Sequence, residues 1–176
     1  MSRPILYLML GYPGAGKTSV AERIAEITGA VHLNSDWFRL HMYKQPTFSQ
    51  EEHDSLYGNL DYLCELILST GKSVIYDANL NRYQHRQEKY DIAKKTGASV
   101  KLVFVKTDIE TAKHRATVEA DKNRRHRPYG NMDLSTFERL VAEIELPKSS
   151  EPTIVVQADF DIAKLNRILL SKTTIK

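Results

Sequence analysis

The stretch Gly11-Tyr-Pro-Gly-Ala-Gly-Lys-Thr18 decides the fold of this chain. It follows the apolar run Ile5-Leu-Tyr-Leu-Met-Leu10 and opens a segment compatible with a helix. Its spacing, G-x-x-x-x-G-K-[ST], is that of a phosphate-binding loop, or P-loop. Glycines permit the backbone angles that turn successive N–H groups inward, and the helix adds the positive end of its dipole. A chance match is expected in roughly one chain of this size in a few hundred, and the strand before and helix after the motif argue against chance.

The loop predicts a site for the polyphosphate of a nucleotide together with Mg²⁺. The ammonium of Lys17 would reach the β- and γ-phosphates, and the hydroxyl of Thr18 would ligate the metal. ATP is the expected nucleotide; GTP is not excluded, although the sequence has no N-K-x-D guanine-reading motif. The expected nucleotide-binding residues of this region are Gly11, Pro13, Gly14, Ala15, Gly16, Lys17, Thr18 and Ser19.

Length and composition favour a single domain over residues 1–176. A chain of 176 residues can bury roughly 70% of its unfolded surface. The single cysteine, Cys64, cannot form a disulfide within the chain and fits a reducing compartment. The longest apolar runs fall well short of the ~20 residues that a membrane span needs, so we expect a cytoplasmic protein. A net charge of +3 is too small to indicate a nucleic-acid partner by itself.

Strand patterns alternate with helix patterns along the chain. The strand patterns are mostly continuous apolar runs, which are typical of a parallel sheet covered on both faces. The predicted fold is therefore α/β, a three-layer P-loop NTPase sandwich with a five-stranded parallel sheet. Sites in such sheets lie at the carboxyl ends of the strands. This rule places the P-loop, Asp36, Asp77 and Lys106-Thr107 along one edge.

Two strand-end carboxylates are candidates for chemistry. Asp77 ends an apolar strand and could hold Mg²⁺ directly or through water; the alternative is an aspartate that caps a turn. Asp36 and Arg39 are three residues apart on a predicted helix and share one face. There, Asp36 can accept a proton from an acceptor hydroxyl while Arg39 clamps an anionic part of the same substrate. The alternative is a functionally silent surface ion pair.

A basic segment, over about residues 115–133, is predicted to form a helical lid. Its cations would stabilise the charge that develops on the γ-phosphate during transfer. The alternatives are a solvated surface or a track for a nucleic-acid backbone. The arginines concerned are Arg115, expected to bind the nucleotide, and Arg124 and Arg125, expected to be catalytic, with Arg127 a further candidate.

The histidines and aromatic residues give weaker indications of function. The six histidines show no spacing typical of a zinc site. Four aromatic residues surround the predicted acceptor site and could stack on a base, although packing in the core is the commoner role. They are Trp37, Phe38, Tyr43 and Phe48.

Three segments, in this order, resemble the kinase domain of the polynucleotide kinase family and related small AAA-type P-loop kinases. They are G-Y-P-G-A-G-K-T at 11–18, N-S-D-W-F-R at 34–39 and Y-D-A-N-L-N-R at 76–82. The resemblance covers most of the chain from Ile5 to about Pro147.

The resemblance implies a general base at Asp36, a contact of Arg39 with an acceptor phosphate, and a lid arginine on the nucleotide phosphates. The implied reaction is transfer of the γ-phosphate of Mg-ATP to a hydroxyl, either a polynucleotide 5′ end or a small metabolite. The competing hypothesis is a nucleotide-binding regulatory module with slow ATPase activity and no acceptor. The oligomeric state is not predicted.

Overall fold

The computed structural model describes residues 3–122, 128–157 and 162–170. Within these residues five parallel strands form one sheet in the order β2-β3-β1-β4-β5. The strand that precedes the P-loop is therefore the central one. The strands are β1 Ile5–Leu10, β2 Val31–Asn34, β3 Val74–Asp77, β4 Ser99–Lys106 and β5 Thr153–Gln157.

Four of the helices begin at a capping side chain. Asn34, Ser49, Asp108 and Asp133 each accept a hydrogen bond from the N–H three residues further on, which satisfies one of the free donors of the first turn. The helices are α1 Lys17–Thr28, α2 Ser35–Met42, α3 Gln50–Ser69, α4 Tyr83–Thr96, α5 Ile109–Thr117, α6 Leu134–Ala142 and α7 Ile162–Leu170, with a 3₁₀ turn at Ala120–Lys122.

Two helices end earlier than the sequence predicts. The sequence predicts a helix from about Ile109 to Ala120, but α5 stops at Thr117 and the chain continues into the 3₁₀ turn. The apolar period of Leu134, Phe137, Val141 and Ile144 predicts a second helix closed by Pro147, but α6 ends at Ala142. The apolar period of both segments runs past the point where the backbone leaves the helix.

Apolar side chains fill both faces of the sheet, as a three-layer sandwich requires. One core contains Leu56 and Leu60 of α3 with Ala93 of α4, and Cys64 is buried within it. The other contains Ile24 of α1 with Leu165 of α7. The predicted α/β architecture with a five-stranded parallel sheet is confirmed.

The described part of the predicted lid consists of the end of α5, the 3₁₀ turn and the residues from 128 onward. Arg124, Arg125 and Arg127 lie outside the described residues. A search of the described helices finds none that combines the length and the apolar character of a membrane span.

Candidate functional site

The P-loop turns tightly between β1 and α1. Gly14 and Gly16 have φ angles of 81° and 92°, a region that side chains with a Cβ rarely adopt. Gly14 also packs closely against α5, because a Cβ built on it would lie 2.1 Å from the carbonyl oxygen of Ala112. A Cβ on Gly16 would meet no atom within 4 Å. The loop is thus tight against the protein at Gly14 and open at Gly16, where α1 begins.

Polar contacts hold the loop in this shape. The Lys17 ammonium donates to the carbonyl oxygens of Gly11 at 2.9 Å and Tyr12 at 3.0 Å. The hydroxyl of Thr107, just after β4, donates to the carbonyl oxygen of Ala15 at 3.0 Å. The P-loop and the end of β4 therefore meet at one edge of the sheet, as the sequence predicts.

Asp77 ends β3 beside the P-loop. Its Oδ2 accepts from the side-chain nitrogen of Asn34 at 2.7 Å and lies 3.1 Å from Nε2 of His32. Burial alone would raise the pKa of this carboxyl, but the contact with His32, the charge of Lys17 and the Thr18 hydroxyl together hold the pKa below its ordinary value. Asp77 is therefore a buried carboxylate that stays charged, next to Lys17 and Thr18.

These residues fit a magnesium ion. Mg²⁺ keeps several water ligands and usually takes only one or two groups from the protein beside phosphate oxygens. The groups of this chain that would hold the metal are the Asp77 carboxylate and the Thr18 hydroxyl, which are hydrogen-bonded to each other. Among the described residues there is no group of three or more His, Cys, Asp or Glu side chains that could hold a metal.

Asp36 lies in the first turn of α2, which begins directly after β2. The Asn34 side chain caps this helix by accepting from the Trp37 N–H at 2.9 Å. The charge of Asp36 affects two nearby tyrosines. Burial is the main cause and the Asp36 charge a further cause of a pKa of about 12 at Tyr57 and of a pKa well above the ordinary value at Tyr129. The Tyr129 hydroxyl donates to the main-chain carbonyl of Asp36 at 3.1 Å.

Arg39 is on the same helix, as predicted, and it is buried. Its guanidinium forms an ion pair with Glu52 of α3, and the two side chains are 7% and 5% exposed. This is not the surface pair considered as an alternative from the sequence. The predicted contact of Arg39 with an acceptor phosphate stays a prediction.

The predicted lid residues are placed only in part. Arg115, on α5, is exposed. Hydrogen bonds from Thr111 are the main cause of the lowered pKa of Asp108, and the positive charge of nearby Arg115 adds to it.

Three of the four aromatic residues near the predicted acceptor site differ in their surroundings: Phe38 packs against the core, while Trp37 and Phe48 are 37% and 58% exposed.

Sequence reasoning missed the groups that support these residues. His32 and Asn34 alternate along β2 and reach Asp77 on the neighbouring strand, in a register that pairs Asn34 with Asp77. Strand register would have indicated them. The spacing of Ser49 and Glu52 is that of a capping box. Ser49 does cap α3, but the Glu52 carboxylate contacts Arg39 and Thr47 instead.

Comparison with known proteins identifies a family and a fold. The AAA domain family matches residues 6–147. No curated protein matches the chain.

Several solved structures share the fold at low sequence identity. Chaetomium thermophilum Kti12 in complex with ADP-AlF3 has a TM-score of 0.71 and 18% identity, over 93% of this chain and 96% of that one. Mycobacterium tuberculosis APS kinase CysC, in complex with AMPPNP and APS, has a TM-score of 0.65 and 16% identity, over 96% of each chain. A chain of the Pnkp1/Rnl/Hen1 RNA repair complex has a TM-score of 0.67 and 19% identity, over 85% of this chain and 51% of that one.

Proposed function

This chain belongs to the AAA domain family, and we propose that it is a kinase that transfers the γ-phosphate of Mg-ATP to a hydroxyl group of an acceptor. The observation that carries the proposal is that two aspartates follow the carboxyl ends of adjacent strands. Asp77 ends β3 beside Lys17 and Thr18, and Asp36 lies in the first turn of the helix that follows the neighbouring strand β2. This arrangement supports a donor site at Asp77 and an acceptor site at Asp36, on the same edge of the sheet.

The donor side binds and orients the triphosphate. The main-chain N–H groups of residues 11–16 and the start of α1 favour phosphate oxygens, and Lys17 adds a positive charge. A magnesium ion held by Thr18 and Asp77 would supply further neutralisation of phosphate charge. Pro13, Ala15 and Ser19 would complete the contact surface, with Arg115 approaching from α5.

On the acceptor side, Asp36 would act as the general base. The acceptor oxygen forms a bond to the γ-phosphorus while the bond from that phosphorus to the β,γ-bridging oxygen breaks, and ADP leaves. The hydroxyl proton passes to the Asp36 carboxylate. We propose that Arg124 and Arg125 contribute positive charge to this step.

The class of acceptor is open between a polynucleotide 5′-hydroxyl and a small metabolite. Proteins that share the fold include an APS kinase and a gluconokinase as well as a component of an RNA repair complex. The likeness supports a kinase without selecting among these acceptors.

The proposal is tested by Asp36→Asn, with Asp91→Asn on the exposed face of α4 as a matched control. A base that acts only in the chemical step can be lost without loss of nucleotide binding, so we expect ATP affinity within about threefold of wild type. Removal of a general base costs roughly 10²- to 10⁴-fold in transfer rate. Transfer is measured from γ-labelled ATP to 5′-hydroxyl oligonucleotides and a panel of hydroxyl metabolites, and ATP affinity by titration.

Equal transfer by Asp36→Asn and Asp91→Asn would remove Asp36 from the reaction. Slow ATP hydrolysis without transfer to any acceptor would instead favour the regulatory module.

A further inference from the structure

The acceptor side of the site contains a buried ion pair whose charges are already balanced. Arg39 pairs with one carboxylate oxygen of Glu52. The other oxygen accepts from the main-chain N–H of Thr47 at 2.7 Å and from its hydroxyl at 2.9 Å. An arginine paired in this way has its charge partly balanced, and separating it from Glu52 would leave a buried carboxylate unpaired.

The ion pair also fixes the position of Phe48. The Arg39 guanidinium carbon lies 4.9 Å from the centre of the Phe48 ring, and the Tyr129 ring approaches from the edge at 5.1 Å between centres. Phe48 has a φ of 56° and is 58% exposed, an unfavourable combination for an aromatic residue. Since Tyr129 donates to the carbonyl of Asp36, contacts run from Arg39 through Phe48 to the turn that carries the proposed base.

A polar cavity of about 280 Å³ borders the same ion pair. Its described lining offers hydroxyl, amide and carboxylate groups and no cationic side chain; Lys44 belongs to the adjoining segment but is exposed and outside this lining. Burial first, and then the charge of Arg39, lower the pKa of nearby His53 below its ordinary value. The lining residues are Tyr43, Gln45, Thr47, Ser49, Glu51, Glu52 and Ser55.

We propose that Arg39 is a positioning residue: its ion pair with Glu52 keeps the guanidinium against the Phe48 ring, beside the turn that carries Asp36. This side of the site then accepts a hydroxyl carried by an uncharged sugar or nucleoside ring. The inference rests on the proposed function. Among the described residues, a phosphate bound here would face the carboxylates of Glu51 and Glu52 and an arginine that is already paired with Glu52. An exposed aromatic ring beside hydroxyl and amide groups instead suits a ring that carries hydroxyl groups.

The acceptor class is tested with matched pairs of compounds that differ by one phosphate: adenosine and adenosine 3′-monophosphate, and glucose and glucose 6-phosphate. Binding is followed by the fluorescence of Trp37, the single tryptophan of the chain and the neighbour of Asp36, with the nucleotide site saturated by a non-hydrolysable ATP analogue. Transfer is measured separately with ATP. We expect the uncharged member of at least one pair to half-saturate at a concentration at least tenfold lower than its phosphorylated partner.

A tenfold preference for a phosphorylated member that disappears in Arg39→Gln would overturn the proposal and restore Arg39 as a phosphate clamp. The absence of any fluorescence response to both uncharged compounds would overturn the acceptor class. A response without transfer would count against the proposed kinase function alone.

The positioning role is tested by Arg39→Gln, Glu52→Gln and the double variant. Each single change strands a buried partner, so we expect the double variant to lose less thermal stability than the sum of the single losses. We also expect Glu52→Gln to lose transfer as Arg39→Gln does, because either change removes the ion pair that holds the guanidinium beside Phe48. Additive losses of stability, or full transfer by Glu52→Gln, would overturn the positioning role.

Discussion

At the scale of single residues, the P-loop needs its glycines for two different reasons: the backbone conformation and the space that a missing Cβ leaves. Gly14 must adopt a positive φ and must also leave room for the backbone of α5, whereas Gly16 faces open space. Lack of a Cβ at Gly14 therefore lets the protein pack behind the loop. At Gly16 it leaves the approach to the loop clear.

Gly14→Ala tests this distinction against Gly71→Ala. The two glycines have φ angles of 81° and 84°, but a Cβ on Gly71 would meet nothing within 4 Å. The left-handed conformation costs alanine about 1 to 2 kcal/mol at either site. A contact of 2.1 Å with the Ala112 carbonyl oxygen adds roughly 1 to 3 kcal/mol at Gly14.

Chemical denaturation should therefore show Gly14→Ala to be the less stable variant, and titration should show weaker ATP binding for Gly14→Ala alone. Equal stabilities would mean that the loop moves away from α5 at no cost.

At the scale of elements, a second buried ion pair fixes the loop that follows Asp77. Arg86 of α4 makes two hydrogen bonds to Glu151 at 2.7 and 2.9 Å and donates to the carbonyl oxygens of Leu80 and Asn81, both at 3.0 Å. The Asn81 side chain donates in turn to the carbonyl oxygen of Leu140 in α6 at 2.9 Å. The segment after β3 is thus tied to α4, to α6 and to the entry of β5.

Glu151→Gln should destabilise the protein strongly, because it leaves Arg86, whose side chain is 0% exposed, without its counter-charge. Breaking a buried pair in this way costs about 3 to 5 kcal/mol. Glu138→Gln, on the exposed face of α6, is the control and should change stability by less than about 0.5 kcal/mol. Thermal unfolding at pH 7 measures both.

The effect of Glu151→Gln on thermal stability should depend on pH. Burial would raise the pKa of Glu151, but hydrogen bonds from Arg86, Tyr90 and the Lys148 N–H hold it below the ordinary 4.5. A carboxyl with a depressed pKa stabilises the fold above its ordinary pKa and loses this effect as pH falls through the folded value. The gap in melting temperature between wild type and Glu151→Gln should therefore be constant above about pH 5.5 and shrink below 4.5. A gap that widened in acid would contradict the assigned pairing.

These ion pairs show why the sequence predicted some features and not others. The P-loop and the helix with Asp36 and Arg39 depend on neighbours within a few residues, and local pattern was enough to predict them. The partner of Arg86 is 65 residues away, and no local spacing indicates it. Glu52 had a plausible local role at the start of α3, which concealed its contact with Arg39.

At the scale of the whole molecule, the nucleotide site exists only when the sheet is complete. The P-loop follows β1, Asp77 ends β3, and Thr107 follows β4 to hold the loop through Ala15. These segments are distant in sequence and meet because the strands order as β2-β3-β1-β4-β5. The unfolded chain therefore presents no comparable site.

A ligand that binds only the folded state raises stability by about 2.7 kcal/mol at 100 times its Kd. For a chain of this size each kcal/mol moves the melting temperature by about 2 to 4 °C, so saturating Mg-ATP should raise it by roughly 5 to 11 °C. Lys17→Ala should abolish most of this rise. Asp36→Asn should keep it, because the proposed role of Asp36 is toward the acceptor and not toward ATP.

Removal of magnesium should distinguish the proposed role of Asp77 from that of Asp36. With EDTA present, ATP should stabilise wild type less, since the phosphates lose the counter-charge of the magnesium ion that we propose Thr18 and Asp77 hold. In Asp77→Asn the rise with Mg-ATP should fall to the level that wild type shows with EDTA, whereas Asp36→Asn should respond to EDTA as wild type does. Differential scanning fluorimetry with and without EDTA distinguishes these cases. An Asp77→Asn protein that kept the full magnesium-dependent rise would show that the carboxylate at the end of β3 serves the fold rather than the metal.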